Sequence, residues 1–169
     1  MATSGDPRAA PTRDIESDVV LLLQACSAAL GERVLEDVRA ACGTEVRYGD
    51  GYVFQHLQAG ACSITELARR LGVTQQAASK QVDDLERRGL ARRAPHPSDR
   101  RTRLVELTPL GRRAIEAGRE SRRAIAAEVE LLLGTRRAGT LRRALLEVSD
   151  RLDAVDRMAR RELRPESAR

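Results

Sequence analysis

The chain has 169 residues, a net charge of +5 at pH 7, three cysteines and an aromatic content of only 2%. That length suits one ordinary domain with an attached helical region, and a core drawn from Leu, Val, Ala and Ile favours packed helices. Cys26, Cys42 and Cys62 form no CxxC and no metal-ligand spacing with histidine. The odd count argues against a disulfide framework and fits a reducing compartment.

Met1 to Pro11 is polar, with no apolar run of the signal-peptide kind, and Val19 to Leu23 is too short to span a bilayer. The expectation is a cytoplasmic protein without a membrane partner. Lys80 is the only lysine, so nearly all positive charge is arginine. Arginine's planar fork suits phosphates and guanine edges. A GC-rich coding bias explains the arginine total but not its clustering.

Residues 1–13 read as a loose arm. Asp14 to Ala41 reads as one long helix, because Ile15, Val19, Leu22, Cys26, Leu30, Val34 and Val38 recur at near-heptad spacing and Gly43 stops it. A helix this long needs another helix against its stripe, in its own chain or a partner's. A second helix is predicted from near Asp50 to Gly60, with Val53, Phe54 and Leu57 as its apolar contacts.

Cys62 to Leu71 carries a capping box, Ser63 with Glu66, and Cys62 and Leu67 are placed to staple it. Gly72 permits a sharp turn, Val73 plugs it, and Thr74 caps the next helix, Gln75 to Arg88, whose core stripe is Ala78, Val82 and Leu85. Helix, short glycine turn, helix is the geometry of a helix-turn-helix; the alternative is a helical hairpin without a ligand. The second helix opens on Gln75, Gln76, Ser79 and Lys80, where a plain solvated helix prefers acids. These side chains bond to base edges or phosphates.

Leu90 to Arg93 then reads as a short strand, Pro95 to Arg100 as a turn tip, and Arg101 to Leu107 as the returning strand, with Arg103, Val105 and Leu107 on one side. Arg87, Arg88, Arg92, Arg93, Arg100, Arg101 and Arg103 crowd this stretch, and Asp99 is the only acid within it. A basic hairpin beside a recognition helix enters a minor groove or clamps phosphates. Thr108 caps the following helix with Pro109 at its first position; it runs to Leu133. Gly134 to Gly139 is expected to break it, and Thr140 to Arg161 to form a last helix before a frayed end.

The run from Ser63 to Leu90, followed by Arg92-Arg93, Pro97-Ser98-Asp99-Arg100-Arg101 and Leu107-Thr108-Pro109-Leu110-Gly111, resembles the MarR family of bacterial transcription regulators. The resemblance spans roughly residues 14–160. It implies a mainly α fold: a winged helix-turn-helix with a small β-hairpin wing plus N- and C-terminal dimerisation helices. The corresponding divisions are 1–13 as arm, 14–46 as N-terminal dimerisation helix, 47–108 as DNA-binding domain, 109–161 as C-terminal dimerisation helices and 162–169 as tail.

The resemblance further implies a homodimer on a roughly palindromic double-stranded operator, most commonly a repressor. The recognition helix enters the major groove and the wing tip the minor groove, with Asp99 orienting Arg101. Arg100 and Arg103 compete with Arg101 for that contact, and of Arg92 and Arg93 one is expected to meet a phosphate and the other to be structural. Thr74, Gln75, Gln76, Ser79 and Lys80 complete the expected DNA-facing set. Two identical half-sites also demand two copies at fixed separation.

The resemblance also implies a small aromatic or phenolic effector, for which Tyr48, Tyr52, Phe54 and His56 are candidates; plain core is the competing reading. No cofactor is implied. An enzyme is disfavoured: His56 and His96 lie in different elements, and there is no glycine-rich phosphate loop and no HExxH. A winged-helix architectural or protein-interaction module without operator specificity is the remaining alternative.

Overall fold

The computed structural model describes residues 17–96, 98 and 102–159, in the order α1 (Val19–Cys42), α2 (Asp50–Gln58), β1 (Cys62–Ser63), α3 (Ile64–Leu71), α4 (Gln75–Arg87), β2 (Ala91–Pro95), β3 (Arg103–Leu107), α5 (Pro109–Arg151) and α6 (Ala154–Ala159). Helix α1 starts where Asp18 caps it, its carboxylate accepting from the N–H groups of Val20 (2.8 Å) and Leu21 (3.2 Å). It ends at Gly43, which takes the left-handed conformation (φ 63°) and returns its N–H to the Arg39 carbonyl, as a glycine stop does.

The stripe along α1 has two fates. Val38 is buried, and Val34 and Leu35 pack against the core, because this end lies along α5. Arg33 clamps Glu128 through two 2.6 Å hydrogen bonds, and Ser121 donates to Asp37 at 2.6 Å, both joining α1 to α5. The first turns remain open: Val19 is 67% exposed and Val20 57%.

The core gathers under the helix-turn-helix. Leu67, Leu85, Leu90, Val82 and Val105 are its largest fully enclosed side chains, joined by Val53, Phe54 and Leu57 of α2. The sheet has three antiparallel strands in the order β1-β3-β2, with Cys62 opposite Val105, Arg93 opposite Val105 and Ala91 opposite Leu107. The hairpin was expected. Strand β1 was not: the extended backbone that precedes a capping serine (Ser63 φ −70°, ψ 160°) also lines up beside β3 and pairs with it. The wing strands occupy Ala91–Pro95 and Arg103–Leu107, slightly displaced from their predicted bounds.

Two boundaries beyond the wing differ from expectation. The predicted break over 134–139 is a single residue, Gly134 (φ 72°, ψ 151°), after which the helix resumes at once. The predicted last helix over 140–161 is interrupted instead after Arg151, where Asp153 adopts φ 51° before α6 begins. There the Ser149 hydroxyl accepts the Val155 N–H at 3.1 Å, a side-chain bond that competes with the helical ladder.

The start of α5 fixes the wing's base. Thr108 accepts from the Gly111 N–H (3.1 Å) and donates to the Gly89 carbonyl (2.6 Å). A Cβ on Gly111 would fall 2.1 Å from the Leu90 carbonyl oxygen and 3.0 Å from Leu107 Cδ2. Backbone cannot yield as a flexible side chain does. Gly111→Ala should therefore lower unfolding stability by about 3 kcal/mol in a denaturant titration. Gly51→Ala, inside α2 with nothing within 4 Å of the added carbon, should leave stability unchanged or raise it.

Candidate nucleic-acid interface

The helix-turn-helix is assembled by local bonds that the sequence specifies. Ser63 Oγ accepts the Glu66 N–H at 3.2 Å to start α3, and the Glu66 carboxylate turns to Arg69 (2.9 and 2.7 Å) and Arg70 (2.6 Å). Gly72 (φ 64°) reverses the chain, and Thr74 Oγ1 accepts the Ala77 N–H at 3.1 Å to start α4. Leu67, Ala68 and Leu71 of α3 are buried with Ala78, Val82 and Leu85 of α4, which leaves the start of α4 outward.

On that outward start, Thr74, Gln75, Gln76 and Lys80 are exposed and Ser79 is half-buried. The first turn contains no acid. Gln75 Nε2 donates to Thr65 Oγ1 at 2.7 Å, so Thr65, exposed on α3, stands with the glutamine at the mouth of the motif. Sequence reasoning did not single out Thr65; its spacing of ten residues from Gln75 becomes meaningful only once the turn folds the two helices together.

The arginine cluster is largely paired. Arg87 meets Asp84 at 2.7 Å, and Arg92 meets Glu106 across the hairpin at 2.6 Å. Arg93 meets Asp83 at 2.7 Å, together with Glu86 and Ser79. Arg88, with its side chain 11% exposed, donates to both Asp50 oxygens (2.5 and 3.0 Å), to Asp84 (2.5 Å) and to the Glu45 carbonyl (3.1 Å). Of the acids responsible, Asp83, Asp84, Glu86 and Glu106 flank the arginine run closely in sequence, and only Asp50 comes from far away.

Arg92 remains 66% exposed despite its pair, and exposed pairs of this kind hold weakly in water. Arg103 is exposed at the far end of β3. Asp99, Arg100 and Arg101, the predicted wing-tip residues, lie outside the described residues.

The four aromatic-segment residues face different surroundings. Phe54 is enclosed in the core and Tyr52 packs against it. Tyr48 is 39% exposed, with its ring 3.2 Å from where a side chain on Gly31 of α1 would begin. His56 is half-buried. Arg47, beside them, binds Glu45 (3.0 Å) and Asp84 (2.9 Å). Burial raises the thiol pKa of Cys62 and Cys42, which favours the unreactive protonated form, while Cys26 is exposed on α1. Among the described residues no helix is long and apolar enough to cross a membrane.

A two-helix motif with a polar outward face, continued into an antiparallel hairpin, defines a winged helix-turn-helix protein. Residues 50–102 match the model of the MarR family. No curated protein sequence matches it significantly. Among solved structures it is similar to the YusO protein of Bacillus subtilis, at 24% identity and a TM-score of 0.64, over 82% of this chain and 96% of that one. RV1404 of Mycobacterium tuberculosis gives 24% identity and a TM-score of 0.64, over 89% and 97%. A variant of MepR from Staphylococcus aureus, bound to an oligodeoxyribonucleotide, gives 17% and 0.62, over 80% and 98%. At these identities the likeness establishes the fold.

Two outcomes follow from the paired charges. Removing Arg88 strands Asp50 and Asp84 in a buried setting, so Arg88→Ala should cost about 3 kcal/mol in denaturant titration, whereas Arg87→Ala should leave the midpoint near wild type. Hydrogen bonds from Arg69 and then Arg70 hold the Glu66 carboxyl at about 2, below its ordinary 4.5. A depressed carboxyl stabilises the fold above its unfolded value and loses that contribution as pH falls from 4.5 towards 2. Glu66→Gln should flatten the decline of melting temperature across that window.

Proposed function

We propose that this chain is a transcription regulator that binds double-stranded DNA sequence-specifically, as a homodimer on an inverted repeat. The observation that carries the reading is the outward start of α4. It is polar, free of acids in its first turn, and set beside a hairpin, within a segment that matches the MarR family. In this reading Thr74, Gln75, Gln76, Ser79 and Lys80 enter the major groove. Arg92, Arg103 and the wing-tip residues Asp99, Arg100 and Arg101 approach the backbone and minor groove, Arg101 as the principal contact. Arg93 belongs to the same interface through its bonds to α4.

The homodimer is supported by apolar surface that one copy leaves open. Besides the first turns of α1, Leu131 is 87% exposed, Leu132 77%, Leu152 60% and Met158 67%, with Leu141, Leu145 and Val148 along the same C-terminal segment. A monomer rarely presents so many large apolar helix residues to water. In this arrangement residues 14–46 and 109–161 form the pairing helices and 47–108 the DNA-binding unit, in a protein that works in the cytoplasm. Repression, and release of DNA by a small aromatic or phenolic effector near Tyr48, Tyr52, Phe54 and His56, are supported by the family resemblance.

The test is to incubate the purified protein with fragmented DNA of its own genome at about 150 mM salt and sequence what is retained. Retained fragments sharing an inverted repeat are expected. Uniform recovery would instead favour an architectural or protein-binding module. On the recovered site, Arg101→Ala should weaken binding and lower the salt slope by about one, while Gln76→Ala should change base preference more than overall affinity.

A further inference from the structure

Arg93 lies on β2, yet its bonds run along α4. Its Nη2 donates to Ser79 Oγ at 3.2 Å and pairs with Asp83 at 2.7 Å. Its Nη1 pairs with Glu86, and its backbone N–H donates to the other Glu86 oxygen at 2.7 Å. Ser79, Asp83 and Glu86 stand at intervals of four and three, one face of the helix. A single residue therefore fastens the hairpin to the length of α4 by both main chain and side chain.

The chemistry of this arrangement separates Arg93 from its neighbours. Two carboxylates already engage its guanidinium, and its side chain is only 26% exposed, which makes it a poor phosphate ligand beside Arg92 at 66%. Ser79 Oγ accepts a hydrogen bond from Arg93, so its own hydroxyl proton is directed elsewhere. A serine hydroxyl whose proton this arginine does not take, at the start of α4, matches acceptors on base edges: guanine O6 or N7, adenine N7, thymine O4.

We propose that Arg93 is a positioning residue for DNA recognition, locking the wing to α4 and presenting the Ser79 hydroxyl as a hydrogen-bond donor to a base edge without touching DNA itself. This rests on the DNA-binding reading above. Lysine preserves the charge but cannot span three acceptors in a fixed plane.

The experiment compares wild type, Arg93→Lys, Ser79→Ala and the double substitution on a genomically selected site and on random DNA, across a salt series. Arg93→Lys is expected to weaken the selected site about tenfold, leave random DNA within twofold, and keep the salt slope. Added to Ser79→Ala it should cost little more, since both remove the same contact. If Arg93→Lys does not fold by thermal melting, Asp83→Asn with Glu86→Gln keeps the arginine and breaks its hold. That pair should lose selectivity while random binding holds or rises.

Equal losses on both DNAs with a slope lower by about one would make Arg93 a phosphate contact and overturn the proposal. So would an unchanged preference in whichever folded variant is measured, or losses from Arg93→Lys and Ser79→Ala that multiply. If wild type itself holds selected and random DNA equally, the DNA-recognition reading fails first and this one with it.

Discussion

The guanidinium of Arg88, enclosed by Asp50 and Asp84, is the contact on which the placement of α4 depends. Charges removed from water are stable only when every partner is present, so this cluster tolerates one arrangement of the elements that supply it. Those elements are the last turn of α4, the first turn of α2 and the loop before it. Asp50 also accepts the Arg47 N–H at 2.7 Å, and Arg39 of α1 donates to the Val46 carbonyl at 2.8 Å. A continuous set of polar bonds thus runs from the long first helix, through the loop, to the end of α4. Apolar packing beneath it by Leu67, Val82 and Leu85 supplies cohesion, but Leu and Val contacts alone specify orientation loosely.

The same accounting changes the meaning of the chain's basic character. A run of seven arginines with one acid in its midst reads as a cationic patch. Folding brings acids from α2, α4 and β3 onto four of the five that are described, so the positive charge among the described residues is mostly paired. What the start of α4 offers outward is a set of neutral hydrogen-bonding groups and one lysine. Neutral amides and hydroxyls discriminate between bases, whereas cations mainly hold the backbone. In the proposed DNA-binding role, direct readout falls to the start of the helix and charge to the hairpin's exposed positions.

Much of this was legible in the sequence because the signals are local. Ser63, Gly72, Thr74, Thr108 and Gly43 each act on a backbone group within a few residues, and each is found at the turn or cap its chemistry indicates. The hairpin followed from alternation along residues 103–107, where Val105 and Leu107 are buried. What escaped were pairings between distant positions: Arg88 with Asp50, Gln75 with Thr65, and Cys62 with Val105. Counting acids only between Arg87 and Arg103 hid Asp83, Asp84, Glu86 and Glu106. The single-residue break at Gly134 looked longer because Gly139 lies close by, yet that second glycine sits within regular helix.

The bonding of Arg93 to Ser79 also constrains how such a protein diversifies. Under the proposed role of Ser79, a substitution there alters base readout and the fastening of the hairpin together, so these two features cannot drift separately. Gln76 and Lys80 form no bond to the hairpin among the described residues. Retargeting to a new DNA site is therefore least disruptive through those two positions, while Ser79, Asp83, Glu86 and Arg93 should be inherited as a block.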